Sequence, residues 1–191
     1  MAEKWLTLSS RTLLKDRWIN LRADDCRTQD GHEIAPYYVL TYPEWVHVVA
    51  LTPRDEVVLV RQYRHAAGDC FLELPGGVVD DTDQGPERSA ARELEEETGF
   101  TAPEFRLVSS LYSNPAIQTN RVHVYLALGA ECTGRQKLEP GEAGLAVHLM
   151  PVDEVLSRLH AGILGHSLHV SGLLLALSAS GYLPLRARAP F

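Results

Sequence analysis

The sequence predicts an α+β fold, in the form of an α/β/α sandwich with a mixed sheet, preceded by a small antiparallel β extension. Three observations predict it: strand-like segments run through most of the chain, turn signals link several of them in pairs, and only three segments have helical patterns. Strands mixed with few helices favour a layered fold in which helices cover a sheet. A length of 191 residues suits one domain with a short extension.

The N-terminal part alternates strand-like segments with turns. Leu6–Leu14, Trp18–Cys26 and Ile34–Tyr42 are rich in β-branched and aromatic residues. Asp30-Gly31 favours a tight turn between the second and the third segment. These segments predict three antiparallel strands.

Two apolar runs follow, and they predict a second hairpin. Val46–Leu51 and Val57–Val60 are separated by residues that suit a turn, among them Pro53 and Asp55. The next segment, Leu72–Gly77, predicts a short strand that enters a glycine loop.

The clearest helical segment is Pro86–Thr98. Proline suits the first position of a helix, and Gly99 suits the position just after its end. Three more strands are predicted beyond it, at Phe105–Tyr112, Arg121–Leu128 and Val147–Met150.

Two further helices close the predicted domain, at Val152–His160 and Ser167–Ser178. The spacing of the leucines in the second helix predicts a buried side formed by Leu173, Leu174 and Leu177.

Composition and charge exclude several classes of protein. An apolar content of 45% is ordinary for a globular chain, and a net charge of −7 argues against a basic surface for nucleic acids. The apolar stretch around Leu173–Leu177 is far shorter than the ~20 residues that span a bilayer. Cys26, Cys70 and Cys132 are far apart in the sequence, so we expect them to be reduced thiols. The N-terminus has no signal-peptide pattern, so we expect a soluble cytoplasmic protein.

Three glutamates share one face of the Pro86–Thr98 helix. Glu93, Glu96 and Glu97 are spaced i, i+3 and i+4, so their like charges repel, and they lie at the negative end of the helix dipole. Arg92 can pair with Glu96 one turn away. A solvated acidic face is the plain interpretation, but a divalent cation would reverse both penalties, and Mg²⁺ prefers such oxygen ligands.

This segment resembles the Nudix box, whose pattern is G-x5-E-x7-R-E-U-x-E-E-x-G-U with U a bulky apolar residue. Arg92–Phe100 matches the second half at every position, and Gly77 matches the first glycine. There are two departures: the first glutamate of the pattern falls on Asp83, and one extra residue lies between it and Arg92.

The resemblance extends to the ADP-ribose and ADP-sugar pyrophosphatase branch of that family. Val60–Arg64 followed by Leu72–Gly77 is similar to the entry segment of the branch. Pro115 lies where the branch carries a characteristic proline, Arg121–Ala127 resembles its next strand, and Glu142 matches the place of a late catalytic glutamate.

The resemblance implies both an organisation and an activity. Residues 46–191 would form the Nudix hydrolase domain, and residues 1–45 would form the β extension, which commonly mediates dimerisation. The implied reaction is Mg²⁺-dependent hydrolysis of the pyrophosphate bond of a nucleoside diphosphate sugar, in the first place ADP-ribose, to AMP and ribose 5-phosphate. Mn²⁺ could replace Mg²⁺.

The resemblance also implies a metal set and catalytic residues. Glu93 and Glu97 would bind the metal together with the Gly76 carbonyl, and Glu96 would be a further or bridging ligand. Glu97 and Glu142 would be catalytic, and Glu142 could serve either as a metal ligand or as the base that orients the water.

Five residues are candidates for substrate binding. The guanidinium groups of Arg61 and Arg64 suit phosphate, because each can grip two oxygens at once. Glu73 would bond a ribose hydroxyl or order the glycine loop. Gly77 belongs to that loop, and Pro115 would shape a loop beside the terminal sugar.

Two other functions remain as alternatives. One is a catalytically inactive Nudix-fold sensor of nucleotide sugars, which only Asp83 and the extra residue favour. The other is a Nudix hydrolase of GDP-mannose or of dinucleotides.

The histidines are interpreted as structural. His166 and His169 have i, i+3 spacing, but the sequence shows no cysteine or carboxylate that would complete a metal site with them.

Overall fold

A computed structural model describes residues 3–183 and divides the chain into two compact units. The first unit combines the residues up to Glu44 with Leu111–Arg121. The second combines Trp45–Ser110 with residues 122–183.

The first unit contains a three-stranded antiparallel sheet in the order β1-β2-β3. Its strands are β1 (Leu6–Lys15), β2 (Asn20–Arg27) and β3 (Glu33–Leu40). Gly31 has a φ of 83° in the turn that joins β2 to β3, which is a conformation that glycine adopts without strain. The predicted extension of three antiparallel strands is confirmed.

The larger sheet has seven strands and is mixed. Its members are β4 (Trp45–Leu51), β5 (Glu56–Arg64), β6 (Asp69–Glu73), β7 (Gly76–Val78), β9 (Glu104–Tyr112), β10 (Arg121–Leu128) and β12 (Ala146–Pro151). The order is β12-β5-β4-β10-β9, while β6 pairs with β5 and β7 pairs with β4. The β4–β10 pair is parallel, and the pairs of β5 with β4, β6 and β12 are antiparallel. Two short strands, β8 (Phe100–Thr101) and β11 (Glu131–Cys132), form a separate pair.

The glycine segment differs from its prediction. We expected a glycine loop after a short strand, but Gly76–Val78 forms strand β7, which pairs antiparallel with β4. The pairing brings Gly76 opposite His47, and a residue without a side chain allows this approach.

Three α-helices accompany the sheet in the part of the chain that the structure describes. They are α1 (Pro86–Thr98), α2 (Val152–Arg158) and α3 (Ser167–Ala179), and α1 has the bounds that its terminal signals predict. Gly99 ends α1 in a left-handed conformation with a φ of 74°. The second predicted helix is shorter, because the chain tightens into a 3₁₀ turn at Leu159–Ala161. Within residues 3–183, no helix has the length and apolarity that crossing a membrane requires.

The helices cover both faces of the sheet. Side chains alternate along β4, so that Val48 packs in one apolar cluster with Leu94 of α1, whereas Val49 packs in another with Leu173 of α3. The predicted α/β/α sandwich is therefore confirmed.

The buried face of α3 is narrower than predicted. Leu173 and Leu177 are fully buried, but Leu174 is 38% exposed, so its predicted burial is wrong. Successive helical residues are turned by about 100°, which rotates Leu174 away from the core that Leu173 enters.

This difference gives a test of the fold. Leu173→Ala should lower the free energy of unfolding by about 2–5 kcal/mol, because it leaves a cavity in the core. The matched control Leu174→Ala should lower it by less than ~1 kcal/mol. Urea unfolding of both variants measures the difference, and equal losses would contradict the assignment of the buried face.

Candidate active site

Helix α1 turns two of its acids toward the sheet. Glu93 is 8% exposed and Glu97 is 2% exposed, and α1 packs against β7 and β4. Glu96 lies at the edge of the same face, where it is about one-third exposed. The shared face that the spacing predicts is therefore present, but only two of its three carboxylates are buried.

The two glycines of β7 lie next to the two buried acids of α1. The Gly76 N–H donates a hydrogen bond of 2.8 Å to a carboxylate oxygen of Glu97. A β-carbon on Gly76 would lie 2.1 Å from the carbonyl oxygen of Val46, and one on Gly77 would lie 2.5 Å from Oε1 of Glu93. No other residue fits at either position without moving its neighbours.

A third carboxylate reaches this pair from outside the helix. Glu142 ends a 3₁₀ turn at Pro140–Glu142, and its carboxylate accepts a hydrogen bond of 2.9 Å from the Glu139 N–H. One carboxylate oxygen from each of Glu93, Glu97 and Glu142 lies within 4.8 Å of the others.

The convergence of these acids is electrostatically unfavourable. Burial raises the pKa of Glu93 to about 7, although Arg92 opposes the shift. Burial also raises the pKa of Glu97 to about 8; the Gly76 N–H opposes this, and the charges of Glu93 and Glu142 add to it. Oxygen donors gathered in this way fit a hard divalent cation such as Mg²⁺, whose charge would offset the repulsion.

Arg92 lies beside the three carboxylates and organises the charges around them. It contacts Asp83 at 3.1 Å, Glu93 at 3.0 Å and Glu96 at 3.0 Å, so the predicted pair of Arg92 with Glu96 is confirmed. Asp83 also accepts a hydrogen bond of 2.7 Å from the Ser89 hydroxyl. A ligand role for Glu96 stays a prediction, because its carboxylate pairs with Arg92 next to the converging group.

An ion pair between a buried glutamate and an exposed arginine lies at the ends of β5 and β6. Glu73 is 1% exposed and accepts hydrogen bonds from Arg64, with Nε of the guanidinium 3.1 Å from Oε1. The hydrogen bond with Glu73 raises the pKa of Arg64, and the charges of Glu97 and Glu142 raise it further. The carboxylates of the site therefore act electrostatically on Arg64. Both Arg64 and Arg61 are exposed on this strand.

Pro115 belongs to the first unit, in a turn between β9 and β10. The Asn114 carbonyl closes this turn by accepting hydrogen bonds from the backbone of Ile117 and Gln118. The substrate roles of Arg61, Pro115 and the other candidate residues stay predictions.

Three histidines lie together on the α3 face of the sheet, and of these the sequence had drawn attention to His166 and His169 but not to His47. His47 of β4 stacks on His169 of α3 with ring centroids 4.0 Å apart, and His166 lies 4.6 Å from His169. The statement that no carboxylate accompanies His166 and His169 is wrong, since Glu73 brings an oxygen within 4.8 Å of both. The feature of the sequence that could have indicated His47 is its position inside an apolar strand, on the same face as Val49.

Family models match most of the chain. A model described as NUDIX domain matches residues 41–168, and one described as Nucleoside diphosphate sugar hydrolase N-terminal domain matches residues 5–40.

Two ADP-ribose pyrophosphatases and one crystal structure are also similar to this chain. The ADP-ribose pyrophosphatase of Mycobacterium tuberculosis is 33% identical over 168 residues, which are 88% of this chain and 81% of that protein. The ADP-ribose pyrophosphatase of Bacillus subtilis is 30% identical over 63% of this chain and 64% of its own length. A crystal structure of an ADP compounds hydrolase has a TM-score of 0.82, covers 96% of this chain and 99% of that one, and at 22% identity shows the same fold.

Removing one buried charge should stabilise the metal-free protein. Because the pKa of Glu97 is raised from 4.5 to about 8, the folded state keeps a proton that the unfolded state releases, so the free energy of unfolding falls as pH rises through this interval. At pH 8 in EDTA, Glu97→Gln should raise the free energy of unfolding by about 1 kcal/mol or more, or roughly 2–4 °C in Tm.

The matched control is Glu95→Gln on the same helix. Glu95 is half-exposed and pairs with Lys137 at the surface, so its neutralisation should change stability by at most ~0.5 kcal/mol. Thermal unfolding of both variants measures the difference. A Glu97→Gln protein less stable than the wild type under these conditions would contradict the repulsion described above.

Proposed function

The chain belongs to the Nudix hydrolase family, and we propose that it hydrolyses the pyrophosphate bond of a nucleoside diphosphate sugar, with ADP-ribose as its substrate. The observation that carries this proposal is the convergence of Glu93, Glu97 and Glu142 within 4.8 Å. The choice of substrate is supported by the names of relatives in two bacteria and by the match of the N-terminal residues to a nucleoside diphosphate sugar hydrolase model.

We propose that these carboxylates hold Mg²⁺, which Mn²⁺ could replace. Glu93 and Glu97 would bind it with the Gly76 carbonyl, and Glu96 would join if its carboxylate leaves Arg92. When bound, the cation neutralises phosphate charge and lowers the pKa of a coordinated water.

The protein's own groups would then position the diphosphate and the water. The guanidinium of Arg64 would bind phosphate oxygens, with Arg61 as a second cation on the strand. Glu142 can bind the metal or accept a hydrogen bond from the attacking water. The water oxygen bonds to one phosphorus, the bridging P–O bond breaks, and AMP and ribose 5-phosphate carry away the water's two hydrogens.

The remaining substrate candidates would act around this centre. Glu73 would either orient the guanidinium of Arg64 or form a hydrogen bond with a ribose hydroxyl. Gly77, which has no side chain, would keep open the space that Glu93 occupies. Pro115 would shape a loop beside the terminal sugar.

A substrate panel tests the proposal. We expect AMP release from ADP-ribose that requires Mg²⁺, with a higher kcat/KM than for ADP-glucose, GDP-mannose, NADH or diadenosine polyphosphates. Product chromatography after incubation with Mg²⁺ or with EDTA measures it. Tight binding of ADP-ribose without any turnover would instead indicate a sensor, and turnover in EDTA would exclude the metal role.

The metal set has its own test. Glu97→Gln should lower kcat for ADP-ribose at least ~10²-fold, because a group that stabilises charge in the transition state is lost. Glu95→Gln, on the exposed side of the same helix, should retain activity within a factor of two. Near-wild-type turnover by Glu97→Gln would show that the metal assignment is wrong.

We also propose that residues 1–45 mediate a homodimer of Nudix domains formed by residues 46–191. Every residue of β1 is exposed, and among them Leu6 is 60% exposed and Leu14 is 51% exposed. Exposed apolar side chains on one strand are typical of an interface.

Substitution of the exposed leucines tests the dimer. Leu6→Glu combined with Leu14→Glu should convert a dimer to a monomer in sedimentation velocity, because charges would be buried at the interface. Leu128→Glu, at an exposed position of the second unit, should leave the dimer intact. A wild-type protein that sediments as a monomer at micromolar concentration would contradict the proposal.

A further inference from the structure

The backbone of Gly76 has two tasks in the proposed function. Its N–H donates a hydrogen bond of 2.8 Å to Glu97, and its carbonyl is a proposed ligand of the cation. The two residues before it, Leu74 and Pro75, join β6 to β7. Pro75 has no N–H, and its carbonyl accepts a hydrogen bond of 2.8 Å from the Val48 N–H of β4. The position of Gly76 therefore depends also on what holds Leu74.

His169 of α3 holds the backbone of Leu74. The Leu74 N–H donates a hydrogen bond of 3.0 Å to Nδ1 of His169. Leu74 is 1% exposed and His169 is 2% exposed, so this N–H is shielded from water. A buried N–H that loses its partner is unfavourable, and the chain then tends to move until the N–H finds another acceptor. Loss of the imidazole should therefore displace the segment that leads into Gly76.

The side chain of Leu74 is held by the same face of α3. Gly172 lies three residues after His169, which is one turn of the helix. A β-carbon on Gly172 would lie 3.5 Å from Cδ1 of Leu74 and 3.3 Å from Cγ2 of Val124. Helix α3 thus lies close to the sheet at this point, and it fixes both the backbone and the side chain of Leu74.

The imidazole of His169 is itself held in place. It stacks on the ring of His47, with centroids 4.0 Å apart and an interplanar angle of 17°. His47 is the residue of β4 that pairs with Gly76 of β7. On its other edge, Nε2 of His169 lies 3.5 Å from a carboxylate oxygen of Glu73. A ring packed in this way has little freedom to turn, so the direction of Nδ1 is fixed.

Groups behind a metal ligand commonly decide how well the ligand binds. Loss of such a group typically lowers metal affinity or activity by about 10- to 100-fold, because the ligand is no longer oriented. A backbone carbonyl has no side-chain rotamer of its own, so the chain on either side of it sets its direction. For Gly76, Glu97 holds the N–H from the α1 layer, and His169 holds the preceding segment from the α3 layer.

We propose that His169 is a positioning residue of the metal site, which acts through Leu74 on the backbone of Gly76. The proposal rests on the proposed function, in which the Gly76 carbonyl binds the cation. It separates His169 from a core residue that contributes only to stability, because a core residue would leave the metal affinity of the folded protein unchanged.

Mn²⁺ binding without substrate tests this role. Leucine and asparagine have nearly the same shape, but only asparagine has an oxygen that can accept the Leu74 N–H. His169→Leu should raise the dissociation constant for Mn²⁺ about 10-fold, and His169→Asn should keep it within about threefold of the wild-type value. Electron paramagnetic resonance of the free ion measures the constant, and Glu97→Gln, which should remove the site, shows which bound ion is observed.

The matched control for stability is Leu177→Ala. Leu177 is fully buried on the same helix, two turns beyond His169. Its truncation should lower the midpoint of urea unfolding and leave the dissociation constant for Mn²⁺ within about a factor of two. Equal losses of Mn²⁺ affinity in His169→Leu and His169→Asn, or in His169→Leu and Leu177→Ala, would overturn the proposal. A wild-type protein that binds no Mn²⁺ would overturn it as well.

Hydrogen exchange of the wild-type protein gives a second measurement, which decides the matter if His169→Leu does not fold. If the Leu74 hydrogen bond holds the metal segment, its opening must release the cation. Mg²⁺ should then slow exchange of the Leu74 amide about as much as that of the Gly76 amide. An unchanged Leu74 rate beside a slowed Gly76 amide would overturn the proposal.

The proposed substrate can fail separately from this role. Absence of turnover with every nucleotide sugar would overturn the proposed function. The Mn²⁺ titration and the exchange measurement need no substrate, so they would still decide whether His169 positions the metal site.

Discussion

The packing of two buried carboxylates onto a strand of glycines is the constraint on which the rest of this structure depends. Glu93 can lie against β7 because Gly77 has no side chain in the space that its carboxylate occupies. Gly76 has no side chain to collide with the backbone of β4, and its N–H donates a hydrogen bond to Glu97. This packing removes both acids from water, and burial raises the pKa of each. The fold therefore creates an excess of negative charge that only protons or a cation can relieve.

Arg92 keeps an acidic partner at the position of the first glutamate of the Nudix box, despite the two departures from that pattern. Asp83 has a shorter side chain than the glutamate of the pattern, yet it reaches the guanidinium at 3.1 Å. The extra residue lengthens the segment between them, and the Ser89 hydroxyl holds the Asp83 carboxylate against the first turns of α1. A module that had lost catalysis would not need to keep Glu93 and Glu97 buried around such a network, so the structure gives the sensor alternative no support.

Local patterns predicted the elements better than the contacts between them. Pro86 and Gly99 bound α1 as expected, since capping depends on neighbours in sequence. The burial of Glu93 and the presence of His47 beside α3 depend instead on strand order, because β4 lies between β5 and β10 and is covered on both faces. Residue spacing carries no information about that order. Glu142 was found through the family resemblance, since nothing in its local sequence indicates which helix it meets.

The segment between β6 and β7 couples the two helical layers. The Leu74 N–H bonds to His169 of α3, the Gly76 N–H bonds to Glu97 of α1, and Pro75 between them has no N–H to satisfy. A protonated His169 could not accept the Leu74 hydrogen bond, so the burial that lowers its pKa also keeps the segment anchored. The segment is thus held from one side by a neutral imidazole and from the other by a carboxylate. Its position therefore depends on both helical layers.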